Sequence, residues 1–580
     1  MNHNPKHNES LINALLKNVF NINIPGKELK IYIIFIVVIC TVAIYFNSLN
    51  NNFVSLDDNV YVYNNYLFNN SLSDNLAYFF TNQYNGHYHP LTMLSYAFQY
   101  KYSGLNATLY HLFNLVFHIL SVVIVFYIVY SFIRRIDIAA VVTLLFGIHP
   151  MNIEAVSWIS ARGSVMYSFF YLTALLCYIY YLNSNGKLKY LIFSLILFIL
   201  SMLSKSAAVT LPILFICIDI YYKRKYDKRT VLEKIPFFLL SVVFGMIALY
   251  SAREFGSLFM AEDKYSGFDR LFMLSYSIVF YLKNFFYPSG FTAMHFNPSK
   301  TDGMLPFEYY IAPFIIIIII GIIVFSKRSR KNMVFGLVFF LISLSVFLQV
   351  LPVGNTIFSE RYAYVPYIGL FIIMGNYINT IRNLKIKSYS IAKKYLYFIL
   401  MIYIMFLSFT AWKRNEVWKN SVTLYSDMIK RYPNDYYGYY GLGNARIAEK
   451  KYNEALNNYN KALDLKQNAK SFHARGVVNK YLKRVDHAIA DYNMAIKLDP
   501  YLIEAYYNRA ILYFELQNYN LSLSDYNMAI KFKPLFAKAY NNRGNTKFMM
   551  NDKTGACNDW QKALELGYMD AGKVISKYCK

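Results

Sequence analysis

Long runs of apolar residues, nearly free of charge, are the feature of this sequence that most restricts its fold. The runs 31–46, 112–132 and 309–325 contain no Asp, Glu, Lys or Arg. A helix needs about 20 apolar residues to cross the hydrocarbon core of a bilayer. Inside that core every backbone amide must find its partner within the protein, which favours helices. The sequence therefore predicts an all-α, polytopic membrane protein, in agreement with its 56% hydrophobic residues.

Positive charges are concentrated in short loops between these runs. Basic clusters lie at 134–135, 223–229, 327–331 and 382–394, and the formal net charge is +26. Loops rich in Lys and Arg remain on the cytoplasmic side of a membrane. The N-terminal residues 1–29 are predicted to be cytoplasmic for the same reason. Because membrane topology explains the charge, no nucleic-acid partner is expected.

Alternating these loops across the membrane predicts eleven spans, with the N-terminus inside and the C-terminus outside. The predicted spans are 30–48, 110–132, 137–150, 165–182, 190–203, 207–222, 235–250, 308–326, 332–351, 362–380 and 394–411. The apolar segment 271–287 is predicted to be a re-entrant or interfacial helix, because a full span there would place the basic loop 327–331 outside. Only Lys205 and the flank Lys413-Arg414 oppose the charge rule.

From about residue 435 the sequence repeats itself every 34 residues, once with a one-residue deletion. Matching small residues mark the two helices of each unit: Gly443, Gly476, Ala510 and Gly544, then Ala462, Ala495, Ala529 and Ala563. This is the tetratricopeptide pattern, in which small residues lie where two helices touch. Such repeats stack into an α-solenoid that binds peptides or protein segments. Arginines recur on the first helices, and ligand-facing and structural roles are equally open for them: Arg446, Arg475, Arg509 and Arg543.

These patterns define the predicted domain organisation. It comprises a cytoplasmic tail (1–29), a membrane domain (30–412) with an external loop (51–108), a connector (413–434), four repeats (435–570) and a C-terminal tail (571–580).

Ionisable residues collect at the external ends of different predicted spans. The adjacent acids Asp57 and Asp58 follow the first span, and His87 and His89 lie in the same external loop. The others are His149, Glu154, Arg162, Lys205, Glu360 and Arg361. A solvated acid pair and local ion pairs, such as Glu154 with Arg162, are the simpler explanations. Ionisable residues at membrane level are costly and usually functional, so their convergence on one side predicts an active-site cavity.

Carboxylates and cations in one cavity suit transfer of a group from a lipid-phosphate-linked donor. A carboxylate can deprotonate an acceptor hydroxyl. Cationic side chains can hold the donor phosphate and stabilise its charge as the bond to the sugar breaks. The five cysteines show no metal-ligand spacing, and one Asp pair leaves open whether a divalent metal takes part.

The order of these motifs resembles the transmembrane and tetratricopeptide-repeat family. The matching stretches are Asp57-Asp58, Tyr88–Thr92, Tyr110–Asn114, His149–Arg162, Lys205 before Leu211-Pro212, Pro352–Tyr362 and the repeats, so the resemblance covers roughly residues 30–570. The resemblance implies that the membrane domain has the GT-C glycosyltransferase fold. It also implies sugar transfer, since eukaryotic members of the family are O-mannosyltransferases that use dolichyl-phosphate mannose.

The resemblance also implies roles for individual residues. Asp57 would be the catalytic acid/base with Asp58 beside it, and Arg162, Lys205 and Arg361 would contact the donor phosphate. The substrate-binding candidates as a whole are His89, His149, Glu154, Arg162, Lys205, Glu360 and Arg361. The sequence departs from the family at His89, where Arg is usual, and at Ser206, where an acid is usual.

The sequence therefore predicts a glycosyltransferase that moves a sugar from a polyprenyl-phosphate carrier to a protein Ser or Thr hydroxyl on the non-cytoplasmic face. The repeats would recruit that acceptor. A non-catalytic membrane scaffold is the alternative, and a transporter is disfavoured because the membrane half has no mid-span acids and no internal repeat. The abundance of Asn, Lys, Ile and Tyr, with little Gly and Pro, indicates an AT-rich genome. The closing unit Gly555–Trp560 resembles bacterial tetratricopeptide proteins, which favours a bacterial inner membrane.

Overall fold

The protein is built from helices arranged in two compact units. The computed structural model describes residues 26–256, 265–325, 330–348, 356–382 and 389–579. The two units divide between Asn420 and Ser421. The first unit contains the apolar runs and the second contains the repeats, so the predicted all-α class, with a helical membrane domain before a tetratricopeptide solenoid, is confirmed.

The membrane unit has sixteen α-helices within the described ranges. They are α1 (Gly26–Tyr45), α2 (Leu72–Thr81), α3 (Pro90–Ser103), α4 (Ala107–Ile133), α5 (Ile136–Ile148), α6 (Ile153–Ser157), α7 (Arg162–Asn183), α8 (Leu188–Ser204), α9 (Leu211–Tyr221), α10 (Lys228–Leu232), α11 (Ile235–Glu254), α12 (Gly267–Phe286), α13 (Phe307–Phe325), α14 (Arg330–Leu344), α15 (Tyr367–Arg382) and α16 (Tyr389–Val417). A small antiparallel sheet pairs β1 (His295–Phe296) with β2 (Thr356–Phe358). Short 3₁₀ turns at Ile159–Ala161 and Glu360–Ala363 carry or adjoin candidate residues.

Every predicted span overlaps one of these helices, but the count of eleven spans is not confirmed. Among the described residues, five helical stretches are long and apolar enough to cross a membrane. A sixth is the pair Ile136–Ile148 and Pro150–Ser157, bent by 51° at its break, and four further apolar helices are shorter. The segment predicted as re-entrant, 271–287, forms the continuous helix α12, which is not among these candidate spans.

Several helices of this unit turn large apolar side chains outward. Leu239 and Met246 of α11 and Phe314 and Ile318 of α13 are all more than half exposed. In water such a surface would cause association, whereas hydrocarbon is its natural solvent. The outward-facing residues therefore agree with a membrane-embedded bundle.

The predicted external loop 51–108 is a folded helical region rather than an open loop. Its helices α2 and α3 surround buried aromatic residues, including Tyr61, Phe68 and Tyr96, which pack with Tyr110 of α4. Each aromatic side chain buries a large area, so a segment too polar to cross a membrane still acquires its own core. The region thus presents its polar side chains from a packed base.

The repeat unit has ten helices within the described ranges. A leading helix, α17 (Ser421–Arg431), precedes four pairs: α18 (Tyr436–Ala448) with α19 (Tyr452–Leu465), α20 (Ala469–Tyr481) with α21 (Val485–Leu498), α22 (Ile503–Glu515) with α23 (Tyr519–Phe532), and α24 (Ala537–Met549) with α25 (Lys553–Glu565). A last helix, α26 (Asp570–Tyr578), follows them.

Each pair of helices closes over an aromatic side chain from its second helix. A Cβ atom added at Gly476 would lie 2.7 Å from the ring of Tyr492, and one at Gly544 would lie 2.7 Å from the indole of Trp560. Both aromatic side chains are almost completely buried. Glycine is therefore required at these positions because the ring occupies the space of a side chain.

The recurring arginines of the first helices form ion pairs inside the repeats. The pairs Arg475–Asp491, Arg509–Asp525 and Arg543–Asp559 each have an N–O distance of 2.7 Å. Arg446 does not occupy the equivalent position and pairs instead with Glu449 and Glu454. These contacts give the three repeated arginines a structural role, which the sequence had left open.

The segments predicted as a connector and a tail are helical as well. The connector 413–434 contains the end of α16 and all of α17, and the tail 571–580 contains most of α26. Cys557 in the last repeat forms a disulfide with Cys579, a pairing that cysteine spacing did not predict. Ala571 of α26 is fully buried against the last repeat, so this helix caps the solenoid.

In the repeat unit produced as residues 421–580, Gly476→Ala is expected to lower the free energy of unfolding by about 1–3 kcal/mol, because the new methyl group overlaps the Tyr492 ring. Urea unfolding followed by circular dichroism measures this change. Gly572→Ala is the matched control, because its Cβ would meet its nearest neighbour at 3.8 Å. Equal effects of the two substitutions would contradict the packing argument.

Candidate functional site

The adjacent acids Asp57 and Asp58 have different environments. The Asp58 carboxylate is buried and accepts hydrogen bonds from the Val54 N–H at 2.8 Å, from the Ser160 N–H at 2.9 Å and from the Ser160 hydroxyl. It therefore ties the 54–58 turn to the turn Ile159–Ala161. The Asp57 carboxylate is half-buried and has no hydrogen-bond partner among the described residues. Asp57 is thus the acid that remains available to a substrate.

The surroundings of Asp57 make it suitable as a base near neutral pH. Burial raises the pKa of the Asp57 carboxyl to about 6, and the nearby Arg361 guanidinium opposes that rise. Burial also raises the pKa of Asp58, against the hydrogen bonds from Ser160 and Val54. A base works best when its pKa lies close to the operating pH. The position of Asp57 brings its pKa toward neutral pH.

Arg361 is held beside Asp57 by Glu154 of the short helix α6. The fully buried Glu154 carboxylate accepts a hydrogen bond from the Arg361 guanidinium and another, at 2.9 Å, from its backbone N–H. The guanidinium also lies over the rings of Trp158, at 5.1 Å, and Tyr362, at 4.9 Å. The simpler pairing of Glu154 with Arg162, suggested by their spacing, is therefore wrong.

Lys205 lies close to the same Tyr362 ring as Arg361. Its ammonium is 5.3 Å from the centre of that ring and donates a hydrogen bond of 3.0 Å to the Ser164 hydroxyl. The rings of Tyr167 and Phe347 complete its surroundings. Lys205 forms no ion pair with an acid in the described part of the chain. Lys205 and Arg361 therefore present two cations close to one aromatic ring.

Two histidines of the external region join this group. The rings of His87 and His89 are 5.7 Å apart, and His89 is 5.6 Å from Tyr61. Burial, together with His87 and Lys205, lowers the pKa of His89 to about 3. The imidazole of His89 is therefore neutral at physiological pH, and it can take part in hydrogen bonds but adds no positive charge.

Arg162 lies deeper, in the packed base of the external region. It is fully buried, and its guanidinium donates to Asn114 at 3.1 Å, to Gln99 at 2.7 Å, to Ser95 at 3.3 Å and to the Tyr110 carbonyl at 3.3 Å. The same group packs over the rings of Tyr96 and Phe113. Neutral partners within the chain thus already satisfy this cation.

His149 and Glu360 are also buried in internal contacts. The His149 ring contacts the Phe285 carbonyl through Nε2 at 3.2 Å and accepts from the Met151 N–H at 3.3 Å. Glu360 forms a two-point ion pair with Arg414, with both distances 3.1 Å, and accepts from the Thr292 N–H. The local pair of Glu360 with Arg361, which their adjacency suggested, does not form.

The structure therefore brings part of the predicted set together. One group of predicted residues shares a single site with His87: Asp57, His89, Glu154, Lys205 and Arg361. The other predicted residues support that site through contacts within the protein: Asp58, His149, Arg162 and Glu360. No group of three or more His, Cys, Asp or Glu residues in the described ranges is arranged to hold a metal ion.

Sequence reasoning missed several residues that build this site. Ser160, Trp158 and Tyr362 lie within stretches that carry the family resemblance, but they were not singled out because hydroxyls and aromatic rings are common in such a sequence. Arg414 did carry a signal, since it opposes the charge rule for an external flank. Its buried pair with Glu360 explains the exception, because a paired cation inside the protein is not subject to that rule.

Comparison with known proteins confirms the repeats. The family model described as "TPR repeat" matches residues 480–517. The family model described as "Tetratricopeptide repeat" matches residues 436–468 and 503–534. A solved tetratricopeptide-repeat protein of Thermus thermophilus is 15% identical, with a TM-score of 0.25, and the match covers 31% of this chain and 94% of that protein.

Curated relatives extend the similarity into the membrane unit. The human protein O-mannosyl-transferase TMTC3 is 26% identical over 462 residues, which cover 72% of this chain and 49% of the relative. The protein O-mannosyl-transferase F38B6.6 of Caenorhabditis elegans is 25% identical over 476 residues, which cover 74% of this chain and 63% of the relative. The chain spans about half the length of the human relative. The predicted resemblance to the transmembrane and tetratricopeptide-repeat family is confirmed.

Glu360→Gln is expected to lower the stability of the membrane unit by about 3–5 kcal/mol, because it removes the buried carboxylate charge that forms a two-point ion pair with the Arg414 guanidinium. The thermal unfolding midpoint of the detergent-solubilised protein measures the loss. Glu416→Gln is the control, since its ion pair with Lys413 is exposed and contributes little. A midpoint that falls equally in both variants would contradict the importance of burial.

Proposed function

We propose that this protein is a membrane glycosyltransferase that transfers a sugar from a polyprenyl-phosphate carrier to a hydroxyl group of a protein. The observation that carries the proposal is the available Asp57 carboxylate near Arg361, with Arg361 and Lys205 both close to the Tyr362 ring. The relatives named as protein O-mannosyl-transferases support the same class of reaction.

The proposed reaction uses Asp57 as a general base. The acceptor hydroxyl oxygen forms a bond to the anomeric carbon of the sugar while the bond from that carbon to the phosphate oxygen breaks. The hydroxyl proton goes to Asp57, and polyprenyl phosphate leaves with the bonding electron pair. A positioned base of this kind contributes about 10²–10⁴-fold to a rate.

Arg361 and Lys205 stabilise the charge on the departing phosphate. Both cations lie close to the Tyr362 ring. Among the described residues Lys205 pairs with a hydroxyl and with no acid, and Arg361 pairs with Glu154 but keeps part of its side chain exposed to a substrate. Charge that develops in a transition state is stabilised best by groups already in place. Glu154 holds Arg361 in that position, and neutral His89 offers a further hydrogen bond to the substrate.

The remaining predicted residues act by positioning. Asp58 fixes the turn that carries Asp57, and Arg162 organises the base of the external region. We assign His149 and Glu360 the same kind of role, because their polar atoms are engaged within the protein. The requirement for a divalent metal is decided by transfer assays with and without a chelator.

The repeats are proposed to recruit the protein acceptor on the non-cytoplasmic face. The Cys557–Cys579 disulfide supports that placement, because disulfides persist in oxidising compartments such as the bacterial periplasm. The likeness of the unit Gly555–Trp560 to bacterial tetratricopeptide proteins favours the bacterial inner membrane. The positive charge of the short loops favours an N-terminus in the cytoplasm and repeats outside. A membrane scaffold without activity is the other candidate, and it would retain the repeats but not require Asp57.

Asp57→Asn is expected to reduce sugar transfer by about 10²-fold or more, because an amide cannot accept the hydroxyl proton. The purified protein is assayed with a panel of polyprenyl-phosphate sugars and host envelope proteins as acceptors. Asp74→Asn, which removes an exposed acid from the same external region, serves as the control. If no donor is consumed and Asp57→Asn still complements a deletion strain, the scaffold replaces the enzyme.

The rate of transfer is expected to rise with pH around a midpoint near 6. The pKa of Asp57 is raised to about 6, so the carboxyl is protonated and inactive below that pH and ionised above it. Measurement of kcat/KM between about pH 5 and about pH 8 shows the acidic limb of the pH–rate profile, because that ratio reports the pKa values of groups in the free enzyme. A rate that is flat over this range would contradict the role of Asp57.

A further inference from the structure

The segment Arg414–Lys419, at the end of the last helix of the membrane unit, makes four contacts with the walls of the site. Arg414 provides the first. It is only 3% exposed, and its guanidinium forms the two-point ion pair with the fully buried Glu360. Glu360 begins the turn Glu360–Ala363, whose second residue is Arg361. Arg414 therefore holds the turn that carries the phosphate-binding cation.

Asn415 provides the second contact. Its side chain is fully buried, accepts a hydrogen bond from the Ser157 hydroxyl and donates one of 3.0 Å to the Ile44 carbonyl. Ser157 is the last residue of α6, the helix that also carries Glu154. Asn415 thus fixes the element from which Glu154 reaches Arg361.

Trp418 provides the third contact. It is 1% exposed, and its ring stacks on Trp158 with 5.5 Å between centres and 23° between planes. The Arg361 guanidinium lies 5.1 Å from the centre of the same Trp158 ring. Trp158 also directly precedes the turn Ile159–Ala161 to which Asp58 is bonded. Trp418 therefore packs against the Trp158 ring on which the Arg361 guanidinium lies.

Lys419 provides the fourth contact through its backbone. Its carbonyl accepts a hydrogen bond of 2.8 Å from the Asn52 N–H. Asn52 begins the stretch Asn52–Asn59, which contains Asp57. One six-residue segment therefore contacts both the stretch that carries the base and the turn that carries the cation, although these lie about 300 residues apart in the sequence.

We propose that Arg414–Lys419 is a positioning element of the active site, which sets the placement of Asp57 relative to Arg361. The inference rests on the proposed function for its chemistry but not for its geometry. Only Asn420 separates this segment from the first helix of the repeat unit, so the peptide chain that attaches the repeats is the same chain that holds the site together.

This role differs from general structural support in a measurable way. A misplacement of about 1 Å at a catalytic group can reduce a rate by about 10²-fold while leaving binding intact. Arg361 also opposes the burial-induced rise in the pKa of Asp57. Movement of Arg361 away from Asp57 would therefore shift the acidic limb of the rate profile to higher pH, whereas a simple loss of stability would not.

The test compares Trp418→Leu and the milder Trp418→Phe with Trp412→Leu in the full-length, detergent-solubilised protein. Trp412 lies on α16, six residues before Trp418, but is 39% exposed, and its substitution controls for the loss of an indole. Hydrogen exchange is followed in peptides that cover 52–59 and 356–363. Transfer is measured as kcat, KM and the pH of the acidic limb.

The positioning role predicts faster exchange in both peptides for Trp418→Leu, a kcat lower by about 10²-fold at little changed KM, and an acidic limb moved above 6. Trp418→Phe should recover part of each effect, and Trp412→Leu should match wild type. Unchanged exchange and an unchanged limb in Trp418→Leu overturn the inference. Faster exchange throughout the protein in Trp418→Phe also overturns it, because the residue then acts on stability alone.

Failure of the proposed function gives a different result. If wild type transfers no sugar from any donor, the glycosyltransferase proposal fails. The exchange measurements still decide the geometry in that case, because they need no substrate. Local protection of 52–59 and 356–363 that depends on Trp418 would then support a segment that holds two turns together in a protein with another activity.

Discussion

The buried contact between Glu154 and Arg361 is the interaction on which the candidate site depends. A carboxylate removed from water is costly unless a cation and hydrogen-bond donors replace the solvent. Arg361 supplies both, through its guanidinium and its backbone N–H. The requirement for this partner brings helix α6 and the turn Glu360–Ala363 together, although 207 residues separate the two side chains. Asp57 and Lys205 then lie in the charged environment that this contact defines.

Two neighbouring acids show how environment separates chemical roles. Asp58 receives hydrogen bonds at both carboxylate oxygens and acts as a tie between two turns. Asp57 keeps its carboxylate available, and burial moves its pKa toward neutrality. The same division applies to the cations, because neutral partners surround Arg162 whereas Lys205 and Arg361 share the aromatic ring of Tyr362. Burial and hydrogen bonding, rather than residue type, distinguish a reactive group from a structural one.

Local patterns made much of the fold predictable from the sequence. Apolar runs and the 34-residue period fix helices and repeats, because both depend on residues close together in the chain. The candidate site was predicted only as a set, since charge at membrane level marks residues but not their partners. Glu154 could have paired with Arg162, eight residues away, and adjacency favoured Glu360 with Arg361. Each instead found a partner from a distant element.

The sequence by itself determined the helical membrane unit, the tetratricopeptide solenoid and the ionisable residues that are candidates for the site. Tertiary structure alone decided which of them share a site, that the polar segment 51–108 folds around an aromatic core, and that Arg414–Lys419 contacts both walls of the site. The physical reason is that helix formation is satisfied within each segment, whereas a buried charge must be satisfied by whatever the folded chain brings to it.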